Sequence, residues 1–447
     1  MRMRGAIAAG HPLTAEAGGR VLREGGNAVD ALLAAAFTAF VTEGPLTGPA
    51  GGGLLLVHER RGQTTLLDCF FAAPATGLGE MDEVLIDFED AGTQVFHVGD
   101  GSVAVPGLLA GLEEAHRRFA TLPWATLVEP ALELARQGVV CDEPRAFLHR
   151  ILAQILLRDE GGRRVYGNPA RVVTDDLCPT LERIRDTGSE AVAELLPEFQ
   201  DDLASYEVSV RAPLEADLLG CRVFAAPTPS RGGLIVVEIL ESLAAAGSPS
   251  LHDEARALQL AYGTSASGLL TGTTHVSVVD ASGTAAALSS TLGSGSGVFR
   301  GGAQLNNMLG ELDVIGVGSR APGTRLPTML TPTLALEDER PRLILGSAGS
   351  VRLAGAIAQV AWNVLRWSAP VAKAIDAPRM HVDGSTLHLE GGIADDAALR
   401  LHDSWEVVRW AGLNLYFGGV QAVELRSDGT LAAAGDPRRG GAGLVVT

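Results

Sequence analysis

The segment Gly272-Thr273-Thr274-His275-Val276-Ser277-Val278-Val279-Asp280 is rich in β-branched and small residues, and Ala281-Ser282-Gly283-Thr284 breaks it before a second apolar run to Leu292. This pattern fits a strand, a tight turn and a returning antiparallel strand. Thr273 and Thr291 are equidistant from Ser282. A symmetric hairpin centred there sets them directly opposite each other on one face, with Cβ atoms about 4.5 to 5.5 Å apart.

Such a pair has two readings. Threonines face each other in many hairpins simply because they have good strand propensity. The second reading is chemical. A threonine hydroxyl is a weak nucleophile until a neighbouring base takes its proton, and a cut before Thr273 would free an α-amine of pKa near ~8 to serve as that base. Gly272 suits such a cut because it lacks side-chain bulk and tolerates strained backbone geometry. Thr291 would then exchange a hydrogen bond with the Thr273 hydroxyl and hold its rotamer.

Elsewhere the pattern alternates. Residues 13–23 have helical spacing, Gly25-Gly26 ends them, and Asn27 is placed to cap a helix over 28–41. A glycine-rich turn at 48–53 leads into strands over 54–58 and 64–68, joined by a turn at 59–62. From 106 to about 205 the spacing is helical. Helices are expected over 234–245, 251–261 and near 351–367, the 263–272 stretch is small and polar, and 441–446 is extended. Strands and helices without regular βαβ alternation favour a layered α+β body. Glycine accounts for 55 of 447 residues, without a triplet period, and so serves turns and close backbone approaches.

Composition removes several functions. With 35 basic against 53 acidic residues the net charge is −18, which argues against nucleic acid or an anionic membrane as partner. Lys373 is the only lysine and follows Val371-Ala372, so neither a P-loop nor a Schiff-base lysine is expected. Cys69, Cys141, Cys178 and Cys221 are spaced for neither zinc nor a disulfide framework and are expected to be reduced and mostly buried. No metal or organic cofactor is implied. The apolar run after Arg4 is too short for a signal peptide, and 28–41, which carries Asp30, is too short to span a bilayer. A cytoplasmic protein is expected.

The hairpin also resembles a known family. Thr273-Thr274-His275-x-Ser277-Val278-Val279-Asp280, Gly283 and Thr291 are similar to the processing and nucleophile motif of the gamma-glutamyltransferase (glutathione hydrolase) family of N-terminal nucleophile hydrolases. Further matches follow in the family's order: His11-Pro12, Gly25-Gly26-Asn27-Ala28-Val29-Asp30-Ala31, Gly51-Gly52-Gly53, Val103-Ala104-Val105-Pro106-Gly107, Pro227 to Gly233, Leu305-Asn306-Asn307, Gly346-Ser347 with Gly349 and Arg352, and Asp436-Pro437-Arg438-Arg439-Gly440-Gly441.

The resemblance implies a four-layer αββα sandwich and a self-cut between Gly272 and Thr273. The fragments 1–272 and 273–447 would stay associated as one folded unit, and assembly into a homo-oligomer is compatible with this. It also implies that Thr273 attacks a γ-glutamyl or related small-molecule amide, forms an acyl-enzyme and passes the acyl group to water or an amine. By the same likeness Thr291 orients the nucleophile, and the N–H groups of Gly349 and Ser350 are oxyanion donors, Ser350 standing where glycine is usual. The recognition groups fit less well. Phe70-Phe71-Ala72-Ala73-Pro74 stands where the family carries Arg-Glu-x-Ala-Pro, so the cation for a substrate carboxylate is missing at Phe70. Glu311 matches a carboxylate that holds the substrate's ammonium, Gly293 replaces an asparagine, and Pro327-Thr328 replaces a serine pair. The 311–327 stretch is short for the family's lid loop, so a more open pocket with altered acyl specificity is expected. One alternative is an N-terminal nucleophile hydrolase that keeps Thr273 but acts on a non-glutamyl substrate of secondary metabolism; an unprocessed, non-catalytic homologue is the alternative of another class. His275 is expected to be a hydrogen-bonded structural residue, Gly51 to Gly53 to allow close packing, and Arg438 and Arg439 to form structural ion pairs.

Overall fold

The structure, a computed structural model, describes residues 4–60, 62–87, 92–263 and 272–447. Arg61 of the 59–62 turn and most of the 263–272 stretch lie outside them. A seven-stranded antiparallel sheet runs in the order Ala442–Val446, Gly5–Ala9, Gly272–Asp280, Ala285–Gly293, Gly52–His58, Thr64–Cys69, Ser209–Arg211. A six-stranded sheet faces it, in the order Leu431–Gly435, Gly419–Leu425, Arg340–Ala348, Thr333–Glu337, Cys221–Ala225, Leu214–Leu218. Helices Pro12–Glu24 and Ala28–Thr42 cover the outer face of the first sheet, and Gly232–Ala246 and Leu353–Trp367 cover that of the second. These are the four layers of an αββα sandwich. Both sheets draw strands from before and after residue 272.

Alternation of side chains decides the layers. In the strand Gly5–Ala9, Ile7 and Ala9 join the core under the helices, while Ala6 and Ala8 join the core between the sheets. The strand Gly272–Asp280 divides likewise: Val276 and Val278 pack toward the helices and Val279 toward the second sheet. Thr273, His275 and Ser277 share the parity of Val279, so they face the space between the sheets. Both strands of the hairpin are buried on both faces, and buried polar side chains such as Thr274, His275, Ser277, Ser289 and Ser290 are hydrogen-bonded.

The helix Ala28–Thr42 is buried along its whole length. Asn27 accepts from the amides of Val29 and Asp30, and Asp30 returns a bond to the Asn27 amide, which completes a capping box. Asp30 also accepts from Thr121 and Leu122, so its burial is compensated. An apolar run that resembles a membrane segment in composition is here a core helix. Among the described residues no helix is long and apolar enough to cross a membrane.

Some details differ from the expected layout. The helical region is interrupted by a two-stranded ribbon, Val139–Val140 with Arg171–Val172, and Asp82–Asp87 pairs with Thr93–Val98 in a separate hairpin. The helix expected near 351 begins at Leu353, after a single 3₁₀ turn, Ser350–Arg352. Cys69 and Cys221 are buried, but Cys141, just after the ribbon strand Val139–Val140, and Cys178, the first residue of the helix Cys178–Thr187, are partly exposed; all four are free thiols. Arg438 bonds Glu390 through Nε at 2.7 Å and Nη2 at 2.5 Å, while Arg379 holds Asp436 at 2.6 Å. Arg439 departs from expectation. Asp436 is already engaged by Arg379 and Arg438, and Arg439 donates instead to the Leu415 carbonyl at 3.3 Å, with no ion pair among the described residues.

Candidate functional site

Thr273 and Thr291 are paired across the hairpin as the symmetric register requires. The register shifts just beyond them, where Gly272 pairs with Gly293 and Leu292 is left over; the Leu292 amide donates to the Leu46 carbonyl. A bulge at the end of a ladder re-aims the neighbouring side chains. Gly272 is tightly held, because a Cβ there would lie 2.5 Å from the Gly293 carbonyl oxygen and 2.9 Å from that of Pro45. Any larger residue would displace the backbone.

Thr291 has a different partner from the expected one. Its hydroxyl donates to the carbonyl oxygen of Gly272, on the very peptide bond that precedes Thr273, and accepts from the Gly293 amide at 2.8 Å. The uncut chain presents that carbonyl within reach, so the hydroxyl takes the stronger acceptor.

A small cavity of about 20 Å³ is lined by Thr273, Thr291, Gly293, Glu311, Phe70, Thr328 and Ser350, with Met308, Val314, Met329, Leu330 and Leu353 completing its wall. Every site residue expected from the sequence is therefore at this cavity or, for Gly272 and Gly349, adjacent in sequence to one that is. The five apolar wall residues were not singled out beforehand. Met308 has a signal, since it follows Leu305-Asn306-Asn307 directly and stands three residues before Glu311; Val314 and Leu353 have none.

Glu311 is a loop residue but not a solvated one. Its Oε1 accepts from the amide and the hydroxyl of Ser294, each at 2.8 Å. Burial pushes its carboxyl up to about 7, against the opposing effect of the bonds from Ser294 and Asn307. Asn307 Oδ1 also receives the amides of Ser294 and Gly295, at 2.7 and 3.1 Å. These two side chains fill the place where a side chain at 293 would stand: a Cβ on Gly293 would lie 2.2 Å from Asn307 Oδ1, and the backbone there has φ +67°. The neighbouring Asn306 fastens two loops, accepting from the Ala104 amide and donating to the carbonyls of Ala50 and Ala104.

Phe70 is buried just after its strand and meets Phe71 edge to face at 4.9 Å. Arg325 stands close by, but behind it. The guanidinium donates to the Phe70 carbonyl at 2.5 Å and to Tyr206, stacks on the Tyr206 ring and lies 3.5 Å from Asp68. It does not line the cavity. Thr328 accepts from the Leu330 amide at 3.1 Å.

The loop Gly349-Ser350 joins the strand Arg340–Ala348 to the helix Leu353–Trp367 and has φ +131° and +59°. His275 lies on the Thr273 face but is sealed in, bonded to Ser289 and Ser277 at 2.8 and 2.9 Å, and burial lowers its imidazole to about 3. It is a neutral structural group, as expected. Gly51 to Gly53 do permit close packing: a Cβ on Gly52 would lie 2.7 Å from the Phe71 ring. Among the described residues no cluster of three or more His, Cys, Asp or Glu is placed to hold a metal.

The gamma-glutamyltranspeptidase family model matches residues 14–269 and 252–446, nearly the whole chain. The chain belongs to this family. As such it is an enzyme, an N-terminal nucleophile hydrolase of the acylase and glutathione hydrolase kind. It is 30% identical to the glutathione hydrolase proenzyme of Pseudomonas aeruginosa, over 99% of this chain and 94% of that one. The Acylase ACY 1 proenzyme of Pseudomonas sp. (strain SE83) is 28% identical, over 99% and 94%. Cephalosporin acylase from Bacillus halodurans has the same fold, with a TM-score of 0.84 at 21% identity over 99% of this chain and 96% of that one.

Proposed function

We propose that the chain is a precursor that cuts itself between Gly272 and Thr273, and that fragments 1–272 and 273–447 remain associated as a cofactor-independent amide hydrolase or acyltransferase. The observation that carries this reading is the single cavity shared by Thr273, Thr291, Glu311, Phe70, Thr328 and Ser350. In the cut, Thr273 Oγ1 adds to the Gly272 carbonyl carbon, whose oxygen holds the Thr291 hydroxyl. The C–N bond breaks, the proton passes to the freed amine, and water hydrolyses the resulting ester. In turnover the α-amine takes the Oγ1 proton as the oxygen attacks a substrate amide, then gives it to the leaving amine. The N–H groups of Gly349 and Ser350 donate to the oxyanion, and water or an amine releases the acyl group.

The acyl group is the finer question. Glu311 supplies a carboxylate for an ammonium, as a γ-glutamyl donor requires, but the described residues that line the cavity include no cation for that donor's carboxylate. Phe70 occupies the place, and Arg325 is engaged behind it. This favours a second reading of the specificity, a non-glutamyl acyl donor without the α-carboxylate. The relatives include enzymes called acylase and enzymes called glutathione hydrolase, and both names are compatible with the mechanism.

A denaturing gel with N-terminal sequencing tests the cut: two fragments, the smaller beginning at Thr273, are expected, and Thr273→Ala should remain whole. A persistent single chain in the parent protein would leave only the non-catalytic reading. Release from γ-glutamyl and simple acyl p-nitroanilides then separates the two donors. Negligible γ-glutamyl cleavage by fully cut protein removes the glutamyl reading.

A further inference from the structure

Ser350 presents a buried hydroxyl that, among the described residues, has no hydrogen-bond partner. Its neighbours in the cavity are occupied: Thr291 by Gly272 and Gly293, Thr328 by Leu330, and Glu311 by Ser294. A buried polar atom left unmatched carries a penalty unless something outside the chain satisfies it. The backbone adds a second oddity. Ser350 has φ +59°, in the left-handed region where a side chain is disfavoured and glycine is the easy choice. A side chain stands where its absence would relieve the backbone, and its hydroxyl makes no hydrogen bond among the described residues.

We propose that the Ser350 hydroxyl is a side-chain donor to the substrate carbonyl oxygen, a third donor beside the amides of Gly349 and Ser350. The proposal rests on Thr273 being the nucleophile of this cavity. When Thr273 Oγ1 bonds to the carbonyl carbon, the π pair moves onto the oxygen, and Ser350 Oγ–H donates its hydrogen bond there without giving up its proton. The pair returns to re-form the carbonyl as the leaving group departs. Hydroxyl and amide belong to one residue, so a single acceptor atom meets both. Donors fixed before the reaction act where charge develops and need no reorganisation. The cut itself is served differently, because in the uncut chain the Gly272 carbonyl oxygen holds the Thr291 hydroxyl. Ser350 therefore belongs to turnover more than to processing.

The test compares parent, Ser350→Gly and Ser350→Ala on the most rapidly cleaved acyl p-nitroanilide of the panel above, with processing followed on a denaturing gel. Both variants lack the hydroxyl, Ser350→Gly also relaxes the backbone, and both keep the backbone amides. The expected result is complete processing at a parental rate, with kcat and kcat/KM falling together by about 10²-fold in both variants and KM unchanged. Processed Ser350→Gly with kcat within twofold of the parent overturns the proposal. So does a loss in Ser350→Ala alone, which would mark packing instead of the hydroxyl. Failure of the parent chain to cut, or inactivity of the cut parent, strikes the reading of Thr273 itself and is seen before any Ser350 variant is assayed.

Discussion

Replacing Glu311 with glutamine should stabilise the protein at pH 8 and do progressively less as the pH falls. The carboxyl is fully buried, and burial moves it from 4.5 to about 7. That displacement corresponds to roughly 3 kcal/mol held against the ionised form. The sign follows from proton linkage. The folded state binds the proton more tightly than the unfolded state, so the stabilising contribution is complete below 4.5 and is lost as the pH rises through about 7. At pH 8 the parent bears the whole cost of an ionised buried carboxylate, and at pH 5 it bears under about 1 kcal/mol. Glutamine has no charge, yet its carbonyl oxygen still accepts from the Ser294 amide and hydroxyl. For 447 residues the unfolding entropy is about 0.9 kcal/mol per kelvin. The Glu311→Gln advantage is then about 3 °C in Tm at pH 8 and about 1 °C at pH 5. Differential scanning calorimetry at both pH values, with both proteins carrying Thr273→Ala so that the chain stays whole, makes the comparison. Any fixed offset from the changed hydrogen bonds cancels in the difference between the two pH values. An advantage equal at both, or larger at pH 5, would refute the assignment of a burial-raised carboxyl at this position.

Other perturbations follow from the same geometry. Thr291→Val keeps the shape but loses the donor to the Gly272 carbonyl, and is expected to slow the self-cut at least 10-fold on a timed gel; parental speed would dissociate that hydroxyl from processing. His275 should remain neutral from pH 5 to 9, since its imidazole is lowered to about 3 by burial, and a side-chain NMR titration showing protonation above pH 5 would contradict its sealed environment. Asp436→Ala strips the partner of Arg379 and one partner of Arg438, and denaturant unfolding should show a loss of about 3 to 5 kcal/mol. Phe70→Arg places a second guanidinium in a buried position beside Arg325, so it should lower the yield of folded protein before it confers γ-glutamyl cleavage; a well-folded variant with γ-glutamylase activity would show that the pocket accommodates the charge.

The hairpin that carries Thr273 was legible because its information is local. A turn centred on Ser282 and the constant period of a strand fix which residue faces which, and Thr273 meets Thr291 without knowledge of anything else. The helix Ala28–Thr42 was legible for a similar reason, its cap lying in the adjacent Asn27. What escaped depends on residues far apart in the chain. Nothing near Thr273 reveals that Gly5–Ala9 flanks its strand or that Ala442–Val446 lies beyond. The same holds for the Arg325 to Phe70 contact, for the Glu390, Arg438, Asp436 and Arg379 cluster, and for the apolar wall at Val314 and Leu353. Thr291 shows a third kind of limit. Its position was readable but its partner was not, because in an uncut chain the carbonyl of Gly272 still occupies the ground next to its hydroxyl.

The arrangement of charge around the cavity links this structure to specificity. A pocket for an amino-acid acyl group needs opposite charges at two fixed points, one for the ammonium and one for the carboxylate. On the proposed reading Glu311 is the first point, its carboxyl held by Ser294 and Asn307 and raised to about 7 by burial. The second is missing in a structured way. The strand that ends at Cys69 delivers Phe70 into the cavity, and the positive charge of Arg325 is spent on the Phe70 carbonyl, on Tyr206 and opposite Asp68. A guanidinium with that many partners is costly to withdraw, since each left-over acceptor would lose its donor in a buried setting. On the proposed reading, specificity would rest on a coupled group, Phe70 with Asp68, Tyr206 and Arg325, more than on one substituted position. On the same reading a carboxylate-binding pocket would require the whole group to be rebuilt, whereas an apolar acyl group would meet Phe70, Met308 and Met329 as they stand.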